Sequence, residues 1–286
     1  LRFLTYIDPS GVRRPGFVDG ERVIPLDCES LLECVGLDAE QSSLYAFYAA
    51  SKNQDHALSE VRLCAPLVPQ KNVFCVGRNY LEHAKEGARV SGKELKLPDV
   101  PTFFTKAPTA VADPDTTLSF SSKISKEYDW EGELAIVIGT QGKDIDEASA
   151  LDYVFGYTCL NDLTARDLQR AHLQWFKGKS LDQSCPIGPW IVTPDDIGDP
   201  QQLKIQTRIN GQTKQSASTS SMIFSVARII AELSKGMTLE PGDIIATGTP
   251  EGVGFARTPP EFFKDGDTVE IEIEKIGTLR NTISIT

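Results

Sequence analysis

Histidine is scarce in this sequence: only His56, His83 and His172 occur, and no two of them stand at metal-ligand spacing. The six cysteines (Cys28, Cys34, Cys64, Cys75, Cys159, Cys185) are scattered and form no C-x-x-C pair. These two absences argue against a His- or Cys-based zinc site. Cysteines so dispersed in a chain of 286 residues read as reduced, mostly buried thiols. They point to a cytoplasmic protein, with an organellar matrix as the alternative because the sequence starts at Leu1. No stretch approaches the roughly 18 apolar residues of a membrane span. Positive charge is also short: 29 Lys and Arg face 40 Asp and Glu, for a formal net charge of −11. That balance excludes nucleic acid or an anionic membrane as the main partner.

What is present describes a folded protein, with 40% hydrophobic and 24% charged residues. Its length suits a small domain followed by a large one, and the boundary is placed at residue 70. Residues 1–70 read as short strands with tight turns, including a hairpin at Asp19-Gly20, and helical patterns near Ser30–Cys34 and Leu44–Ser51. "LCAPLVPQKN", with Pro66 and Pro69, then breaks regular structure. Over 71–286, "NVFCVG" reads as a buried strand and "NYLEHAKEG" as a helix start, while "WFKGKSLDQSCPIGPW" holds too many turn residues to be regular. Ile223, Val226, Ile230 and Leu233 repeat at helical spacing before Gly236, and Val269, Ile271 and Ile273 alternate with Glu270, Glu272 and Glu274. The second pattern marks a sheet with one wet face. Strands dominate, so the fold class is α+β, mainly β.

In "YDWEGELAIVIG", Glu131 and Glu133 stand two apart ahead of the apolar run Leu134–Ile138. On a strand both point the same way, and Gly132 between them lets a ligand or another backbone approach. Two such carboxylates repel, and burial makes ionising both harder. Surface acids and a metal site are both open readings. Asp162 in "CLNDLTARD" reads as a helix N-cap or as a third carboxylate of an all-oxygen site for Mg²⁺ or Mn²⁺. His83 and Glu86 at i and i+3 are either an incidental surface pair or a base with its orienting acid. Lys179 is a loop lysine or a stabiliser of an enolate, with Lys177 as its rival, and Cys185 is assigned to packing. "TGTPEGVG" lacks the Lys of a Walker loop and the spacing of a dinucleotide loop, but its backbone and Thr249 can receive a carboxylate.

The ordered motifs "VGRNYLEHAKE", "DWEGELAIVIG", "NDLTARDLQ", "GKSLDQSCPIGPW", "NGQTKQSASTSSMIF" and "GDIIATGTPEGVG" resemble those of the fumarylacetoacetate hydrolase family over residues 71–286. The resemblance implies a rolled mixed β-sheet with peripheral helices, a small N-terminal α/β domain, and a homodimer. It implies Mg²⁺ or Mn²⁺ on Glu131, Glu133 and Asp162, and a His83–Glu86 dyad on a segment that can order as a lid. Lys179 falls on the family's active-site lysine and Thr249 on its substrate-carboxylate threonine. Arg78, Arg166 and Gln169 are open to contacting a second carboxylate or to structural ion pairing. The stretch "SASTSS", Ser216–Ser221, departs from the Asn or Asp that many relatives carry there.

The expected reaction is hydrolytic carbon–carbon cleavage of an acylpyruvate-type 2-oxo or 2,4-dioxo acid, with water activated by His83 and a pyruvate-type enolate held by metal and Lys179. Oxaloacetate tautomerisation or decarboxylation, and isomerisation of a 2-hydroxy-diene-dioate, share that enolate. A non-catalytic carboxylate-binding protein is the alternative of another class.

Overall fold

The computed structural model describes residues 1–36, 55–92 and 94–286. The helical pattern read at Leu44–Ser51 lies outside the described residues. The run Leu134–Ile138 is unbroken because its strand, Gly132–Ile138, is buried on both faces. Leu134, Ile136 and Ile138 pack with Ile205, Ile271 and Leu279 of a second sheet and with Ile229 and Ile230 of the helix Val226–Ser234. Ala135 and Val137 turn the other way, into a cluster with Phe3, Leu31, Ile187 and Ile244. Each large side chain so buried contributes about 1.5–3 kcal/mol.

Among the described residues, this strand lies inside a 12-stranded sheet. It runs antiparallel to Val154–Asn161 on one side and to Ile244–Ala246 on the other. Ile244–Ala246 runs parallel to Val73–Gly77. These directions bring four chain segments to one end of the sheet: the start of Gly132–Ile138 and the ends of the other three strands. Residues 78–83, 131–133, 162 and 247–249 therefore converge.

The first strand, Arg2–Ile7, pairs with Cys185–Val192 through Arg2↔Val192, so the front segment hydrogen-bonds directly onto the large sheet. Its hairpin pairs Asp19 with Arg22, which makes Gly20-Glu21 the two-residue turn, one position later than the sequence reading, with Gly20 left-handed at φ 58°. The helix Leu31–Val35 starts at Ser30 with a capping box to Glu33.

The stretch "WFKGKSLDQSCPIGPW" corrects an expectation. It contains the short helix Phe176–Lys179 and most of the strand Cys185–Val192. Pro189 fits because the ladder to Val154–Asn161 is irregular between Gly188 and Val192, where no regular N–H donor is required. The second sheet has five strands among the described residues, with Thr268–Ile273 at its centre. There Val269, Ile271 and Ile273 are buried and the intervening glutamates face outward, as the alternation predicts.

Candidate active site

Alternation along the strand places Glu131 and Glu133 on one face and Gly132 on the other. A Cβ on Gly132 would strike the Thr207 hydroxyl and press on Ile271, so glycine is there to let the second sheet close against the strand. A bare position between the two glutamates leaves room for a ligand or a backbone. Side chains of the second sheet occupy it instead. Asp162 follows Asn161 and donates its backbone N–H to Glu131 O at 2.9 Å. It caps no helix, since the next one, Arg166–Ala171, begins after Ala165.

Each of Glu131, Glu133 and Asp162 offers a carboxylate oxygen within 4.8 Å of the others, and all three residues are buried. Lys179 Nζ donates to Glu131 Oε2 at 2.7 Å and to Asp162 Oδ2 at 2.6 Å. Lys106 Nζ donates to Asp162 Oδ1 at 2.7 Å. Arg166 pairs with Glu131 Oε1 at 2.7 Å and with Asp129 Oδ2 at 2.8 Å. Burial works against the Glu131 charge, but Lys179 and Arg166 outweigh it and hold the carboxyl below its ordinary range. Burial likewise opposes the Lys179 ammonium, and Asp162 and Glu131 outweigh it and raise its pKa.

Glu133 is the exception in this cluster. No lysine or arginine lies within ion-pair distance of it among the described residues, and its Oε2 accepts only the Gly248 N–H at 2.7 Å. Burial, with the charges of Asp162 and Glu131, pushes its pKa well above the ordinary glutamate value. A divalent cation would relieve that conflict, and three hard oxygen donors suit Mg²⁺ or Mn²⁺. The residues present thus fit a metal. Gly248, with φ 100°, lets the loop turn tightly enough to present its N–H, and a Cβ there would meet Asn79 Cβ at 2.7 Å.

His83 and Glu86 lie on the helix Leu81–Ser91. His83 Nδ1 stands 3.5 Å from Glu86 Oε2 and makes no hydrogen bond, although its side chain is only 10% exposed. Glu86 instead accepts the Gly252 N–H at 3.0 and 3.2 Å. Thr249 is buried, donating to Gly132 O at 3.0 Å and accepting from Gln215 Nε2 at 2.8 Å. Gln169 accepts from Arg166 at 3.2 Å. Lys177, the rival of Lys179, is exposed.

A cavity of about 690 Å³ opens onto part of this cluster, lined among others by Arg78, His83, Glu131, Glu133, Lys179 and Thr249. The model of the fumarylacetoacetate (FAA) hydrolase C-terminal family matches residues 72–284, the span that carries every one of them. The chain belongs to the fumarylacetoacetate hydrolase family.

Oxaloacetate tautomerase YisK of Bacillus subtilis is 47% identical over 263 residues, covering 89% of this chain and 86% of that protein. Among solved structures, a fumarylacetoacetate hydrolase from Exiguobacterium antarcticum superposes with a TM-score of 0.83 at 39% identity, covering 100% of both chains. A 2-hydroxyhepta-2,4-diene-1,7-dioate isomerase from Mycobacterium marinum superposes with a TM-score of 0.80 at 35% identity, covering 100% of this chain and 99% of that one.

Three contributors went unseen in the sequence. Lys106 ends the strand Thr102–Lys106, fully buried on Asp162, and a single lysine after "TFFT" carries no local signal. Asp129 gathers Arg166 and the Gly254 and Phe255 N–H groups. Gln215 ties Gly132 to Thr249. Asp129 sits two residues before Glu131, and that spacing was the one available clue.

Proposed function

We propose that this protein interconverts the keto and enol forms of a 2-oxo dicarboxylic acid of the oxaloacetate class. Glu131, Glu133 and Asp162 would hold Mg²⁺ or Mn²⁺. When bound, the cation supplies Lewis acidity for the negative charge that develops on the substrate's C2 oxygen.

The chain's own groups account for the rest. Lys179, fixed between Glu131 and Asp162, directs its remaining N–H toward the cavity and binds the C1 carboxylate or the C2 oxygen. Thr249 receives the carboxylate by exchanging its bond to Gly132 O. Nδ1 of His83 faces Glu86, which leaves Nε2 to take the C3 proton. The C2–C3 double bond forms as the C3–H bond breaks, and the imidazolium so formed returns that proton from Nε2 to the C2 oxygen to complete the enol. The helix Leu81–Ser91, whose Ala84, Gly87 and Ala88 line the cavity, would shield the enolate from water if it closes on bound substrate.

The observation that carries this choice over hydrolysis is the 47% identity, over 89% of this chain, to an oxaloacetate tautomerase. The dyad serves either reaction: Glu86 accepts the Gly252 N–H and stands 3.5 Å from His83 Nδ1, close enough to orient the imidazole once substrate is bound. Acylpyruvate hydrolysis is the second reading, favoured by a cavity of about 690 Å³, roomier than oxaloacetate requires. The reading includes a homodimer, which light scattering on the purified protein would test, and a small front domain ending near residue 70.

The deciding experiment follows enol absorbance and pyruvate release together, with Mg²⁺, on oxaloacetate and acetylpyruvate. Accelerated loss of enolic oxaloacetate without pyruvate is the expected result. Pyruvate release matching enol loss from acetylpyruvate would overturn it in favour of hydrolysis, and from oxaloacetate in favour of decarboxylation.

A further inference from the structure

Arg78 combines a strained backbone with a place on the cavity wall. It is an arginine in the left-handed region, at φ 58°, where a side chain is strained and glycine or asparagine is usual. Its guanidinium is exposed, lines the cavity, and meets no carboxylate among the described residues. In a chain with 40 acidic residues, an arginine that faces the reaction cavity and is unpaired among the described residues is a cation held in reserve.

The backbone on either side is fixed. A Cβ on Gly77 would run into the indole of Trp175, so residue 77 must be bare for that ring to pack there. Asn79 is fully buried, accepts the Phe224 N–H at 2.8 Å and donates to Thr247 O at 2.8 Å. Between these two anchors the Arg78 guanidinium lies over the Trp175 ring, 5.5 Å from its centroid. Trp175 meets Phe104 edge-on at 5.2 Å, and Lys179 Nζ lies 5.2 Å over the Phe104 ring. An aromatic wall therefore runs along the cavity with one cation at each end: Lys179 beside the carboxylate triad and Arg78 toward the mouth.

We propose that Arg78, held on Trp175, binds the distal carboxylate of the substrate and so selects 2-oxo dicarboxylic acids over 2-oxo monocarboxylic acids. This rests on the tautomerase reading for the location of the reacting end, which sits at Lys179. A planar guanidinium binds a carboxylate through two parallel N–H donors, and the indole fixes its plane in advance. Lys96, which also lines the cavity, lies in a stretch without regular structure and has no ring beneath it among the described residues, so it lacks that preorganisation.

The test compares oxaloacetate with pyruvate, which keeps the 2-oxo acid head and lacks the distal carboxylate. Binding of each in the presence of Mg²⁺ is measured by calorimetry, alongside kcat and KM for oxaloacetate enolisation, in wild type, Arg78→Gln and Arg78→Lys. Arg78→Gln should weaken oxaloacetate binding and raise its KM by about 10- to 100-fold, the range expected for a lost charge-assisted hydrogen bond, with kcat little changed. Pyruvate binding should not move. Arg78→Lys should recover part of the loss, and it decides the matter should Arg78→Gln fail to fold.

Equal weakening of both ligands in a folded variant, or no weakening of either, overturns the assignment while leaving tautomerisation standing. Tighter binding of oxaloacetate than pyruvate that depends on Arg78, in a wild type that does not enolise oxaloacetate, overturns the tautomerase reading and keeps the carboxylate site.

Discussion

Glu131 and Glu133 lead one strand, and Glu270 and Glu272 stand on another, Thr268–Ile273; in both cases the acids are two residues apart. The first pair is buried and closes with Asp162 into a cluster of three carboxylates. The second lies on the wet face of the five-stranded sheet, where Arg208 answers Glu270 at 3.1 Å and Glu272 at 2.7 Å, with Glu272 half exposed. What separates them is the company each keeps. After Glu133 the chain is apolar at every position, so both faces of that strand are dry; around Glu270 the apolar residues alternate, so one face stays wet. Equal spacing therefore yields a metal-type cluster in one place and a solvated ion-pair row in the other.

The sharpest way to break this contrast is Glu131→Ala. It leaves Lys179 and Arg166 buried with fewer counter-charges, so the metal-free protein should lose about 3–5 kcal/mol of stability in urea. Mn²⁺ binding and turnover should vanish with it. A variant that keeps wild-type stability and metal affinity would show that the buried acid is no more than a surface glutamate that happens to be covered.

Much of this contrast was legible beforehand. The apolar run, the alternating row and the i, i+2 spacing set the faces of both strands, and the family motifs marked the acids, His83, Glu86 and Lys179. What stayed hidden depends on distance in sequence. Lys106 lies 56 residues from Asp162 and Gln215 lies 83 from Gly132; only the pairing of strands brings them together. The strand through Pro186 and Pro189 was hidden for a related reason. A bulge absorbs the missing donor, and a bulge has no local sequence mark.

His83→Ala separates holding the metal from doing the chemistry. The helix that carries His83 contributes none of the three carboxylates, so metal binding should persist. Turnover should fall by about 10²- to 10⁴-fold, the usual cost of removing a general base. Loss of Mn²⁺ binding in this variant would place the imidazole among the ligands instead.

Glu133→Gln tests the claim that one buried acid is frustrated until a cation arrives. Its folded-state pKa is raised above the ordinary value by burial and by Asp162 and Glu131. A raised pKa means the neutral form is the favoured one in the fold. In the metal-free protein this residue therefore supports stability at low pH, and that support is lost as pH rises through the folded pKa. The glutamine variant should be as stable as wild type at neutral pH without metal, or more so, with a flatter pH dependence above the ordinary glutamate range. It should also lose the stabilisation by metal, about 2.7 kcal/mol at a hundredfold excess over Kd. Thermal melts with EDTA and with Mn²⁺ measure both halves.

Glu272→Gln is the smallest change, and it sharpens the comparison from the wet side. Its carboxylate is 50% exposed, and Arg208 keeps Glu270 as a second partner when Glu272 is neutralised. Water and salt already screen the pair, so the loss should stay below about 1 kcal/mol and shrink further at high ionic strength. Activity and metal affinity should not change. A loss approaching that of Glu131→Ala, insensitive to salt, would mean that the outer row is shielded from water in solution, as it would be were this face of the sheet covered by a second copy of the chain.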